Sequence, residues 1–136
     1  MKLKEYSKLA NLEYKNYVVL VRFGNFYKCF DDDALIVGYL LDYKVKDNIV
    51  AFPLNSLGKV ILTLKNNNVS AVVVKEQDNI MNVEVMENNY KKVLEDAKEE
   101  EILAGKMKDL GHRMKILLKK DINNYEKIKK YLIDLN

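Results

Sequence analysis

The residues best equipped for chemistry lie in one stretch, Arg22-Phe23-Gly24-Asn25-Phe26-Tyr27-Lys28-Cys29-Phe30-Asp31-Asp32-Asp33-Ala34. It interleaves aromatic rings with two cations. An aromatic ring stacks on any nucleobase, worth about 1–3 kcal/mol per base, and Arg and Lys neutralise phosphates. A hydrolytic set is not evident. The single histidine, His112, stands between Gly111 and Arg113 on an expected helix and reads as solvent-facing rather than as a base. Asp31, Asp32 and Asp33 would suit a hard cation, but a helix start explains them with fewer assumptions. Carboxylates there accept hydrogen bonds from the free first-turn amides and complement the dipole. Gly58-Lys59 lacks the earlier glycine of a phosphate loop, and Val60 follows where Ser or Thr is needed. The reading is therefore of a binder without catalysis, metal or other cofactor. Cys29 is the only cysteine, so an internal disulfide and a thiolate zinc site are both excluded. Its apolar and aromatic neighbours mark it as a buried thiol.

The elements that must position these residues belong to one small globular protein. The chain has 136 residues, 49% apolar and 32% charged, enough for a real core and unlike a disordered segment. No apolar run is long enough to span a bilayer. The N-terminal stretch Met1-Lys2-Leu3-Lys4-Glu5 has no apolar signal core, so the expected compartment is the cytoplasm. The net charge of +3 is small, but it is unevenly spread. Residues 87–105 carry three basic and six acidic groups, and residues 106–136 carry nine and four. That basic end is either a solvated helical face or a phosphate-facing patch.

Along the chain, residues 4–14 have helical spacing, and residues 17–23 read as a buried strand. Gly24-Asn25 is a tight-turn pair that returns the chain as a second strand, Phe26 to Phe30. Alternation puts Phe26, Lys28 and Phe30 on one face and Tyr27 and Cys29 on the other. A helix follows from Asp31 through Ala34, Leu35, Val37 and Leu41. Residues 42–53 read as one or two strands around an Asp47-Asn48 turn, ended by Pro53. Asn55 or Ser56 caps a helix with Leu57, Val60, Ile61 and Leu64 on one face, and Asn66-Asn67-Asn68 stops it. Strands are expected from Val69 to Lys75 and from Met81 to Met86. From Asn89 the pattern turns helical. Leu103, Met107, Leu110, Met114 and Leu117 form one stripe, weakened by Gly111. A new helix starts at Asp121 and carries Ile122, Tyr125, Ile128, Leu132 and Leu135. The fold class is thus α/β in the α+β sense: a mixed sheet flanked by helices over residues 1–87, then a helical extension over 88–136. The two stripes make either a packed hairpin or the seam of a homodimer.

The stretch from Arg22 to Ala34 resembles the signature of the N-terminal mismatch-recognition domain, domain I, of the MutS DNA mismatch repair family. That signature reads roughly Arg-Met-Gly-Asp-Phe-Tyr-Glu-Leu-Phe, then an acidic stretch ending Asp-Ala. Arg22, Gly24, Phe26, Tyr27, Phe30, Asp33 and Ala34 match it. Further on, Phe52-Pro53, the helix to Leu64, Asn68 and the strand Ala71 to Val74 resemble the family's Gly-Ile-Pro, helix, Gly, Val-Ala strand. Asn55, Val60 and Asn68 stand where the family usually has histidine, tyrosine and glycine. The likeness covers about residues 4–87 and implies a free-standing copy of the domain.

The resemblance implies that Phe26 is a wedge for the minor groove beside a mispaired base. In the family, a glutamate two positions later hydrogen-bonds that base; here it is Lys28. An ammonium only donates, and it attracts phosphates. The exchange removes the acceptor and raises general affinity for DNA. The eukaryotic subunit that does not read the mismatch also lacks this glutamate. Read from the residues alone, Phe26 is either a core ring or an exposed one, and Lys28 on its face favours exposure. Arg22 either touches phosphate or pairs with an aspartate. The expected DNA-binding set is Phe26, Lys28, Arg22, Asn25 and Tyr27, and the expected partner is double-stranded DNA, mismatched or distorted. The rival reading is a module that docks on repair proteins or pairs with itself through its C-terminal helices. The family's ATPase loop and DNA-encircling clamp are missing from these 136 residues, so binding should be weak and salt-dependent.

Overall fold

The computed structural model describes residues 12–76 and 79–135. Among the described residues the chain forms strands β1 (Val18–Phe23), β2 (Phe26–Phe30), β3 (Ile49–Pro53), β4 (Ala71–Glu76) and β5 (Asn79–Val83). Its helices are α1 (Asp31–Leu41), α2 (Leu57–Asn66), α3 (Tyr90–Lys120) and α4 (Asn124–Asp134), with a 3-10 turn at Leu54–Ser56. The strands make one mixed sheet in the order β3-β2-β1-β4-β5. β1 runs parallel to β4, and the other neighbours are antiparallel. The α+β class follows directly. The helix expected over 4–14 lies almost wholly outside the described residues, of which Leu12 and Glu13 are helical.

The chain divides into two compact units, residues 1–98 and 99–136. In the first, one face of the sheet carries the main core. Val18 and Leu20 of β1, Tyr27 and Cys29 of β2, Val50 and Phe52 of β3 and Ala71 and Val73 of β4 pack with Ile36 and Val37 of α1 and Val60 and Leu64 of α2. Tyr90 and Val93, from the first turns of α3, are buried in the same cluster. Val19, Val21, Val72 and Val74 point to the opposite face, where Tyr14 and Tyr17 pack on them. The period-2 alternation of β1 and β4 thus serves two apolar faces, and so those strands read as continuous apolar runs.

Local chemistry explains most boundaries. Asp47 and Asn48 both take positive φ, the geometry of a type I′ turn. Of the one or two strands read over 42–53, one forms, β3, and ahead of the turn there is only an isolated bridge, Lys46 to Ile49. The chain over 43–45 instead crosses Gly38 of α1, where a Cβ would stand 2.6 Å from Val45 Cγ2 and 3.0 Å from the Tyr43 carbonyl. Asn68 takes φ 57° just past α2, and the Val69 and Asn68 amides return to the Leu64 and Lys65 carbonyls, a Schellman closure. Neither Asn55 nor Ser56 caps α2 through its side chain; the 3-10 turn leads directly into the helix. β5 ends at Val83, short of the expected Met86, because the Val85 amide donates to Ser70 Oγ instead of continuing the ladder.

The second unit holds the rest of α3 and all of α4. Gly111 does not interrupt α3, since one glycine costs a helix only about 1 kcal/mol. Asp121 Oδ1 accepts the Asn123 amide, an Asx turn that delays α4 to Asn124. Met114 and Leu118 face Tyr125, Ile128, Leu132 and Ile133 across a groove of about 380 Å³. No described residue after Ala97 is buried. Leu103, Met107, Leu110 and Leu117 all lie open to solvent.

Candidate nucleic-acid interface

The β1–β2 hairpin gathers the predicted residues at one end of the sheet. Gly24 takes φ +60° as the first central residue of the turn, the backbone that a type II′ hairpin demands and that glycine adopts without strain. Arg22 Nε donates to the Gly24 carbonyl at 3.2 Å. The Leu54 amide donates to the Asn25 carbonyl at 3.2 Å, tying the turn to the end of β3. Arg22 therefore closes the turn, a role neither sequence alternative contained, while its side chain stays exposed.

Phe23 and Phe26 stand directly opposite each other across the turn. They lie on the same face, with rings 58% and 47% exposed. The Lys28 ammonium lies over the Phe23 ring, 4.8 Å from its centre. Beside them in register are Ala51, opposite Lys28, and Pro53, opposite Phe26; both are exposed and neither overtops the rings. A surface of two rings, one ammonium and two short neighbours can stack on flat groups and neutralise an anion next to them.

Tyr27 departs from the predicted set. It points to the core, 3% exposed, and stacks on Phe52 with ring centres 5.9 Å apart. Strand alternation forces this, since its neighbours Phe26 and Lys28 face outward. Phe30 ends β2 and is buried where the strand turns into α1, so the exposed row stops at Lys28. Asn25 is exposed in the turn.

Below this surface, Asp33, in the acidic first turn of α1, also acts as a fastener. The residue preceding α1, Phe30, makes no side-chain cap, and Asp31 enters with φ 53°. The β1–β2 pairing runs no further than Val21 with Lys28, so Val19 lies beyond it. Asp33 Oδ2 takes the Val19 amide at 3.1 Å, and Oδ1 takes the Tyr90 hydroxyl at 2.6 Å. Burial, reinforced by the Asp33 charge, holds the Tyr90 hydroxyl protonated well above the usual tyrosine range. Burial likewise pushes the Cys29 thiol up, with the Asp33 charge adding to it. Cys29 is thus the inert buried thiol its neighbours implied. Asn88 completes the support: Oδ1 accepts the Ser70 and Tyr90 amides, and Nδ2 donates to the Asn16 carbonyl.

Sequence reasoning missed Phe23, Tyr90 and Asn88. An aromatic pair flanking a two-residue turn is a signal that could have found Phe23. Asn88 and Tyr90 carried no signal beyond an expected helix start.

A mixed α+β unit that presents aromatic and cationic side chains at a rigid hairpin end is a recognition domain in form. The chain belongs to the MutS domain I family, whose model matches residues 2–95. The match reaches through the first turn of α3, so Tyr90 falls within the family's span. No curated protein matches the chain.

Proposed function

We propose that the hairpin end binds duplex DNA at distorted or mismatched sites, with Phe26 as the wedge. Lys28, Arg22 and Asn25 then meet the sugar–phosphate backbone, Tyr27 braces the hairpin from within, and the protein performs no bond chemistry. It acts in the cytoplasm. The observation that carries this reading is Phe26, about half exposed near a cation at the hairpin end of the sheet. Parting two base steps costs a few kcal/mol of lost stacking, and a mismatch has already lost part of that. Discrimination follows from how easily a site deforms, without contact to a base edge. Phe26→Ala should remove the preference for mismatched over paired duplex in gel-shift titrations while changing stability by no more than about 0.5 kcal/mol. A collapsed fold, or an unchanged preference, would overturn the wedge.

A second reading has its own observation: the long apolar stripes of residues 99–135 have no buried member. Such a surface suits docking on repair proteins or on a second copy of the chain. Absence of DNA binding at low salt, together with a concentration-dependent dimer, would favour this reading over the first.

A further inference from the structure

Lys28 lies directly opposite Val21, whereas the ring beneath its ammonium belongs to Phe23, the diagonal neighbour. Diagonal positions are about 7–8 Å apart, within reach of a long side chain only when it leans along the sheet. Lys28 therefore bends toward the hairpin end, where Phe26 stands. Ala51, across from Lys28 on β3, is too short to hold it elsewhere. Among the described residues no carboxylate makes an ion pair with Lys28. Three outward-facing positions depart from the family signature, Phe23, Asn25 and Lys28, and two of them, Phe23 for methionine and Lys28 for glutamate, are the partners in this contact. A methionine has no ring face to hold a cation.

We infer that Phe23 is a positioning residue for DNA binding: its ring holds the Lys28 ammonium at the hairpin end, so that a backbone phosphate beside the wedge site is neutralised as Phe26 enters. The inference rests on the DNA-binding reading. A ring engages the ammonium from one side only and leaves N–H donors directed outward for phosphate oxygens. Phe23 also spares the complex part of the cost of ordering a flexible lysine on contact.

The test uses the full chain with a fluorescent mismatched duplex, titrated between about 50 and 200 mM salt. Lys28→Met should lower the slope of log affinity against log salt by about 0.9, the value for one phosphate. Phe23→Leu should weaken binding roughly two- to fivefold and lower the slope toward that of Lys28→Met. The double variant should bind no more weakly than Lys28→Met alone, and Phe23→Tyr should behave as wild type. In the free protein, the Lys28 ε-methylene protons should be shifted upfield by the ring, and Phe23→Leu should abolish the shift. Multiplying effects of the two single variants, or an unchanged slope in Phe23→Leu, would overturn the inference and leave DNA binding standing. Lysine protons at unshifted positions would overturn it regardless of binding. A wild-type chain that binds no duplex at the lowest salt would sink the DNA-binding reading and this inference together.

Discussion

On the proposed DNA reading, Lys28 sets an ammonium, which cannot accept hydrogen bonds, where the family signature has a carboxylate, next to the ring that would open a base step. The two residue types divide affinity from discrimination. A cation on this face adds attraction that is the same for every duplex, because phosphates carry no sequence. Lys28→Glu should therefore weaken binding to paired duplex more than to mismatched duplex, raising their ratio, and should flatten the salt dependence by about one phosphate contact. Equilibrium titrations with both duplexes would check this; equal losses on the two would refute it. Phe23 shows what residue-by-residue reading leaves out. Its type was plain, but its exposure depends on which strand face stays uncovered, and only the register with β2 and β3 decides that.

At the scale of elements, short-range chemistry made much of the fold legible. The Gly24-Asn25 and Asp47-Asn48 turns, the Asn68 closure of α2 and the apolar face of α2 all follow from preferences that operate within a few residues. What escaped was long-range. Ahead of Asp47 the second of the two possible strands gives way to a crossing over Gly38, and no local pattern flags that glycine. Gly38→Ala would add a methyl group 2.6 Å from Val45 Cγ2. Overpacking of this kind costs about 1–3 kcal/mol, more than the roughly 1 kcal/mol that alanine returns in helix propensity. The urea midpoint should fall, and a raised midpoint would contradict the crowding. The three aspartates open α1 as read, but that Asp33 also serves a β1 amide and Tyr90, 57 residues away, was not legible. Tyr90 and Cys29 hold their protons more tightly in the native state than in the unfolded chain. As pH rises past the ordinary thiol and phenol values of 9.0 and 10.0, the unfolded chain loses those protons first. The part of the stability that these two groups contribute should be level below about pH 9 and decline above it. Tyr90→Phe should lose about 1.5–3 kcal/mol, the worth of a hydrogen bond to a charged group, and its alkaline decline should be shallower. Denaturant titrations from neutral to alkaline pH would test both statements.

On the scale of the whole molecule, the two units differ in how they satisfy their apolar residues. Residues 1–98 bury theirs around a sheet, whereas residues 99–136 display theirs along two helices. A helical segment of that length is too short to enclose a core of its own. If the stripes are a self-pairing seam, sedimentation velocity should show a dimer that grows with concentration. Leu110→Glu, placed on the exposed stripe, should return it to monomer without moving the melting of the first unit. A wild-type monomer at all concentrations would dismiss the seam. The periodicity of these helices was clear in the sequence; whether a stripe faces inward or outward was not, because periodicity carries no information about what lies opposite.

The carbonyl of Asn25 is latched by the amide of Leu54, and the arginine ahead of the turn clasps the glycine within it. The ring next to them is consequently a fixed tooth rather than a swinging one. A rigid tooth cannot accommodate a stiff substrate by moving aside, so on the proposed DNA reading the yielding falls to the duplex. On that reading, slackening the latch would blur the choice between soft and stiff sites, a change that competing duplexes offered together would reveal.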